Sequence, residues 1–191
     1  MKVLLLGPKR QNLIEYLVSC GDSVICTEER VLPESDIIKA IDFIISYGYR
    51  HIIKKNIIDL FPGKIINLHI SFLPWNKGAD PNLWSFLEDT PKGVSIHYVN
   101  EGLDTGDILV QKEISYQLED TLRTSYDRLS RTIEKQLIES WPHVRNDILI
   151  AFPQPHEGTI HRLKDREEYV HLLKRGWDTP VKYLIGKAKE K

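Results

Sequence analysis

"INLHISFLPWNKGADPNLW", residues 66–84, begins as an apolar run and ends as something else. The run reads as a buried strand, yet it closes on Asn67 and His69, two residues apart. In a strand, residues i and i+2 point to one face, so the amide and the imidazole project together. Leu73-Pro74 then turns the chain sharply away, and Gly78 lies in a loop that can approach a ligand closely. The carboxyl end of a parallel strand is where open α/β sheets gather their ligands.

Working outward, the flanking segments alternate strand and helix. "KVLLLG", "SVICT" and "DFIISYG" are short apolar runs, the form of strands covered on both faces. "NLIEYLVSCG" carries a helical stripe stopped by Gly21, and "KNIIDLFPG" a short helix closed by Pro-Gly. These spacings suit right-handed crossovers, so the expected class is α/β: a Rossmann-like, mostly parallel twisted sheet flanked by helices. Beyond the opening stretch, "PNLWSFLED" reads as a helix starting at a proline. "GVSIHYV" and "DILVQKEISY" alternate like a pair of more exposed strands joined by "NEGLDTG". From Thr121 a long helical stripe runs toward Ile148, with Pro142 expected to kink it. Residues 151–191, rich in Pro and Gly, read as a tail with one short helix, packing on the catalytic domain of residues 1–150.

A chain of 191 residues suits one domain with a real core. Its formal net charge of −1 offers no whole-protein attraction to nucleic acid or anionic membrane. Cys20 and Cys26 match neither a disulfide framework nor a zinc pattern, which suggests buried thiols in a reducing compartment. "MKVLLLGPKRQ" does not resemble a signal peptide, and no apolar run reaches the roughly 18 residues that span a bilayer. The expectation is a cytoplasmic protein.

The first turn, "GPKRQN", has one glycine where a dinucleotide fingerprint needs three, which argues against a nicotinamide oxidoreductase. Lys9 and Arg10 beside a helix N-terminus suit a phosphate; solvated surface cations are the plainer alternative. Asn67 and His69 together can hold a developing oxyanion and move a proton, or equally satisfy a turn and a core hydrogen bond. Asp104, between Gly102 and Gly106, can orient a histidine or stabilise its own turn. His156, Glu157 and His161 make a poor zinc motif, so no metal is expected.

Jointly, "NLHISFLP", "NKG" and "EGLDTGD" resemble the 10-formyltetrahydrofolate-dependent formyltransferases. This family includes the glycinamide ribonucleotide, methionyl-tRNA and sugar N-formyltransferases. The resemblance runs over about residues 40–115 and implies direct transfer of a formyl group from 10-formyltetrahydrofolate to an amine. It implies that Asn67 and His69 hold the formyl oxygen while Asp104 positions His69 and helps deprotonate the amine. It also places the pterin near Ser46, Tyr47, Gly48 and Tyr49, with Gly102, Leu103 and Asp104 closing over it. Tyr47 and Tyr49 serve equally well as packing residues.

For the acceptor, "GPKRQN" departs from the glycine- and serine-rich turn of the glycinamide ribonucleotide enzymes. A tRNA substrate is disfavoured by the near-neutral charge and by a C-terminal stretch too short for the extra barrel of the tRNA enzymes. The segment from Pro74 to Leu109 most resembles the sugar N-formyltransferase branch, which implies a dTDP-, UDP- or GDP-linked amino sugar. Trp75, Lys77 and Gly78 would face that acceptor, with Lys9 and Arg10 as further phosphate ligands. Trp84, at helical spacing with Leu83 and Leu87, is expected in the core. A formyltetrahydrofolate hydrolase and a non-catalytic folate or nucleotide sensor are the rivals, and a homodimer is compatible with the resemblance.

Overall fold

The computed structural model describes residues 1–155 and 158–189. Its main sheet has six strands in the order β2-β1-β3-β4-β6-β7. The first four are β1 (Lys2–Leu6), β2 (Ser23–Thr27), β3 (Phe43–Ser46) and β4 (Ile65–His69), all parallel to one another. β6 (Gly93–Tyr98) extends the sheet antiparallel to β4, and β7 (Ile108–Glu113) pairs antiparallel with β6. The connections are α1 (Gln11–Ser19), α2 (Asp36–Lys39), α3 (Lys55–Ile58) and α4 (Pro81–Leu87), and α5 (Leu122–Val144) follows β7. The short α2 escapes a periodicity search because one turn shows no repeat.

Period-2 geometry assigns the apolar residues of each strand to two separate cores. Val3, Leu5, Phe43, Ile45, Ile66 and Leu68 face α1 and α5. Leu4, Leu6, Ile44 and Ile65 face the opposite layer, with Ile38 of α2 and Ile57 of α3. α5 starts with a capping box: Thr121 Oγ1 accepts from Thr124 N–H, and Thr124 Oγ1 accepts from Thr121 N–H. It runs through Pro142 to Val144, so the proline does not end it, and Ile148 lies beyond the helix and exposed. Trp141 is fully buried edge-on to Phe43, and its indole N–H donates to the buried Asp22 at 2.8 Å.

Three expectations require correction, the third concerning the tail. β6 is buried along nearly its whole length, because β7 covers its free edge and α5 covers one face. Cys20 and Cys26 are free thiols, as expected, but only half-buried against the larger core.

The tail forms three 3-10 segments (Leu163–Leu172, Gly176–Asp178, Val181–Tyr183) instead of one short helix. Tyr169, Val181 and Leu184 are buried against Leu83, Phe86 and Leu87 of α4, forming a third apolar cluster. Trp84 is buried in the same cluster. A second, two-stranded sheet joins β5 (Lys77–Gly78) to β8 (Ile160–His161) in parallel, tying the tail to the glycine loop.

Candidate active site

Asn67 and His69 continue the row begun by Ile65, on the face of β4 away from α1 and α5. In the antiparallel partner β6, Asn67 pairs with His97 and His69 with Ser95. Four polar side chains therefore share one patch of the sheet. Ser95 is structural: its hydroxyl donates to Ser71 O at 2.8 Å and accepts from Leu73 N–H at 3.1 Å. Gln111 Nε2 adds a bond to Leu73 O at 2.7 Å, so the cis Leu73-Pro74 turn is held from two strands.

Asp104 reaches this patch from the loop between β6 and β7, with its backbone in the left-handed region at φ 52°. Its Oδ1 accepts from Asn67 Nδ2 at 3.1 Å, and its Oδ2 accepts from Gly78 N–H at 2.8 Å. His69 Nδ1 lies 3.7 Å from Oδ2, and His97 Nε2 lies 3.5 Å from Oδ1. Burial alone would raise the Asp104 pKa. The attraction of His69 and His97 and the Gly78 N–H outweigh it, holding the carboxyl well below the usual carboxylate range. Asp104 is an ionised, nearly enclosed carboxylate between two imidazoles.

His69 is buried, and its Nε2 faces the carbonyl of Asn76 at 3.1 Å. His97 directs Nδ1 at Tyr98 O (2.8 Å) and Nε2 at Asn67 Nδ2 (3.3 Å). Gly78 has φ 86°, and a Cβ there would collide with the carbonyl of His161. Only glycine lets β5 approach β8 this closely while still offering its N–H to Asp104.

The remaining expected site residues lie around this centre in several settings. Ser46 stands beside Asn67 in the β3–β4 register and is buried. Tyr47 is buried with the Arg10 guanidinium 4.7 Å above its ring, and burial pushes its phenol up to about 12. Tyr49 donates to Glu29 O (2.9 Å) and accepts from Val31 N–H (3.1 Å), which anchors the loop after β2. Gly48 packs beside Pro8 of the first turn, whose neighbour Lys9 is exposed. Gly102 N–H donates to Asn100 Oδ1 at 3.0 Å, and the following Leu103 is partly exposed over Gly78. Trp75 and Lys77 are half-buried in the glycine loop. His161 stacks on Trp84 with 3.7 Å between ring centroids and places Nε2 3.1 Å from Glu88 Oε1. His156 and Glu157 lie outside the described residues. Among those residues, no group of three His, Cys, Asp or Glu is arranged to hold a metal, and no helix is long and apolar enough to cross a membrane.

Sequence reasoning missed His97, Asn76 and two tail residues that contact the site's backbone: Gln154, whose Nε2 donates to Asp104 O at 2.9 Å, and Thr159, whose Oγ1 accepts from Asn76 N–H at 3.0 Å. His97 was accessible in principle, since "SIHY" repeats the polar i, i+2 pattern of "NLH". The other three announce themselves only through contacts between distant segments.

An amide donor, an imidazole and an ionised carboxylate around one strand end define a site suited to moving an acyl group through a charged tetrahedral intermediate. The chain belongs to the formyl transferase family, whose model matches residues 30–140. It is 56% identical to the formyltransferase PseJ from Anoxybacillus kamchatkensis, with TM-score 0.96, over 98% of this chain and 100% of that one. That protein was solved with UDP-4,6-dideoxy-4-formamido-L-AltNAc and tetrahydrofolate. A likely sugar N-formyltransferase from Mycobacterium tuberculosis shares the fold, with 23% identity, TM-score 0.75, and 87% and 76% of the two chains covered. By sequence, the methionyl-tRNA formyltransferase of Thermodesulfovibrio yellowstonii is 35% identical over 74% of this chain and 47% of its own length. The chain thus spans about half the length of the curated relatives it matches.

Proposed function

We propose that this protein transfers the formyl group of 10-formyltetrahydrofolate to the 4-amine of a UDP-linked 4-amino-4,6-dideoxy sugar. The observation that carries this reading is the Asn67–His69–Asp104 cluster, set in a fold that matches PseJ across essentially its whole length. In the sugar-linked acceptor, the amine nitrogen attacks the formyl carbon and the carbonyl oxygen takes up negative charge. Asn67 Nδ2 and His69 donate to that oxygen. To do so, Asn67 exchanges its contact with His97 Nε2, the longer of its two at 3.3 Å, for the oxyanion. Asp104 is ionised at neutral pH and is placed to draw the proton from the attacking ammonium. Collapse of the intermediate breaks the bond to folate N10, which leaves carrying a proton, and the formamide remains on the sugar.

The pterin lies against the Ser46–Tyr49 turn under Leu103, and the acceptor lies on the Trp75–Gly78 side. Lys9, Arg10 and Lys77 supply cations for the diphosphate. Lys9 and Arg10, Tyr47 to Tyr49, and Trp75 to Gly78 follow β1, β3 and β4 in the chain, which supports a site at the carboxyl ends of these strands.

The test is turnover with 10-formyltetrahydrofolate and a panel of UDP-, dTDP- and GDP-linked 3- and 4-amino sugars, with methionyl-tRNA included. Tetrahydrofolate release and a product heavier by one formyl group, highest with the UDP-linked 4-amine, are expected. Formate release without an acceptor would instead identify a hydrolase, and transfer confined to methionyl-tRNA would identify the tRNA reaction.

A further inference from the structure

Among the described residues, the segment after α5 contributes no side chain to the proposed chemistry, yet it grips both halves of the site. Thr159 Oγ1 accepts from the backbone N–H of Asn76 at 3.0 Å and lies 3.4 Å from Asn76 Nδ2. Asn76 is fully buried, sits at φ 57°, and presents its carbonyl to His69 Nε2 at 3.1 Å. Its side chain is fixed as well: Nδ2 donates to Glu88 Oε2 at 3.2 Å, and Oδ1 accepts from Thr90 Oγ1 at 2.8 Å. The strained backbone of Asn76 persists because the surrounding bonds over-determine it. Five residues earlier than Thr159, Gln154 Nε2 donates to the carbonyls of Asp104 (2.9 Å) and Gly106 (2.7 Å). Asp104 is the second left-handed, non-glycine residue of the site.

We propose that this strap is a positioning element for the reaction, with Thr159 setting His69 through Asn76 and Gln154 setting Asp104; the assignment rests on the formyl-transfer reading. His69 Nε2 is bonded to Asn76 O, while Nδ1 lies 3.7 Å from Asp104 Oδ2, too far for a hydrogen bond and so free to donate to the oxyanion. The strap therefore governs both neighbours of the imidazole at once. Parallel pairing of β5 with β8 keeps the strap in register, with Lys77 N–H donating to Thr159 O and Ala79 N–H to His161 O, each at 2.9 Å. Among the described residues, the charged and titratable groups facing His69 are Asp104 and His97. The Glu88–His161 pair stands behind Asn76. Burial would raise the Glu88 pKa, but His161 and the Thr159 hydroxyl pull it below its ordinary value, keeping an anion under Asn76.

Thr159→Val keeps the β-branched shape and the strand bonds while removing the hydroxyl, and Gln154→Met keeps length while removing both donors. Steady-state kinetics on the full chain, with histidine-labelled NMR titration of the His69 ring, read the effect. Each variant is expected to lower kcat about tenfold or more with KM for both substrates nearly unchanged, as misplacement of catalytic groups does. Thr159→Val is also expected to move the His69 titration midpoint, and Thr159→Ser to restore both kcat and midpoint. Wild-type kcat and an unmoved midpoint in a folded Thr159→Val protein would overturn the assignment. If Thr159→Val does not fold, Gln154→Met decides by the same kcat-against-KM split. If the wild-type chain transfers no formyl group to any acceptor, the functional reading fails, and the His69 midpoint still decides whether the strap sets the imidazole.

Discussion

Asn67 makes the sharpest residue-scale prediction because, in the proposed reaction, its amide is the donor for the developing charge. Asn67→Ala should lower kcat by about 10²–10³ while KM changes little, since the bond matters most in the transition state; steady-state kinetics check it. Asp104 makes a prediction about pH. Its carboxyl is held below its unfolded value, so its contribution to stability is present above about pH 4. It is lost as the pH falls further, through the folded value. Asp104→Asn has no such contribution to lose. The stability gap between wild type and variant, measured by urea melts, should be widest at pH 7 and shrink below pH 4. A gap that grows on acidification would mean that the carboxyl is not held ionised. Asn67, His69 and Asp104 were legible in the sequence because type and spacing mark them. His97 was not, because its meaning depends on which residue of β4 it pairs with.

At the scale of elements, the join between β5 and β8 carries unusual weight for two-residue strands. It aligns the glycine loop with Asp104 on one side and the tail on the other. Gly78→Ala must introduce a Cβ against the His161 carbonyl at positive φ. Destabilisation of more than about 1 kcal/mol is expected, together with a loss of activity that repairing the fold with osmolyte does not fully reverse. Thermal melts with parallel activity assays test both parts. Strands this short carry no readable alternation, so neither β5 nor β8 stood out in the sequence. The longer elements did, because β1, β3, β4 and α5 each bury a full period of apolar side chains.

At the scale of the whole molecule, α4 would present Leu83, Phe86 and Leu87 to water without Val181 and Leu184 over them. Leu184 is fully buried, so Leu184→Ala should cost about 2–4 kcal/mol, read from denaturant midpoints. Removing residues 159–191 should be worse, taking away β8 and the Thr159–Asn76 bond along with the apolar cover. An aggregating or molten product is expected by near-UV circular dichroism and size exclusion. A well-folded truncation would show that the tail is an appendage and not part of the domain.

The sequence by itself determined the alternation of strand and helix, the class of the sheet, and the family to which the "NLH" and "LDTGD" residues point. Those features are local: periodicity and short motifs reside in neighbouring residues and survive without knowledge of the fold. Tertiary structure alone decided that His97 joins the patch, that Asn76 turns its carbonyl to His69, and that the tail returns to hold Asp104. These contacts join residues 7 to 50 positions apart through side-chain hydrogen bonds. Each depends on backbone direction and register, which residue type does not encode locally. Alone, "INLHISFLPWNKG" was weak evidence, and "EGLDTGD" made it specific; Asn76 and the tail, distant in sequence or register, are what the fold adds around the imidazole.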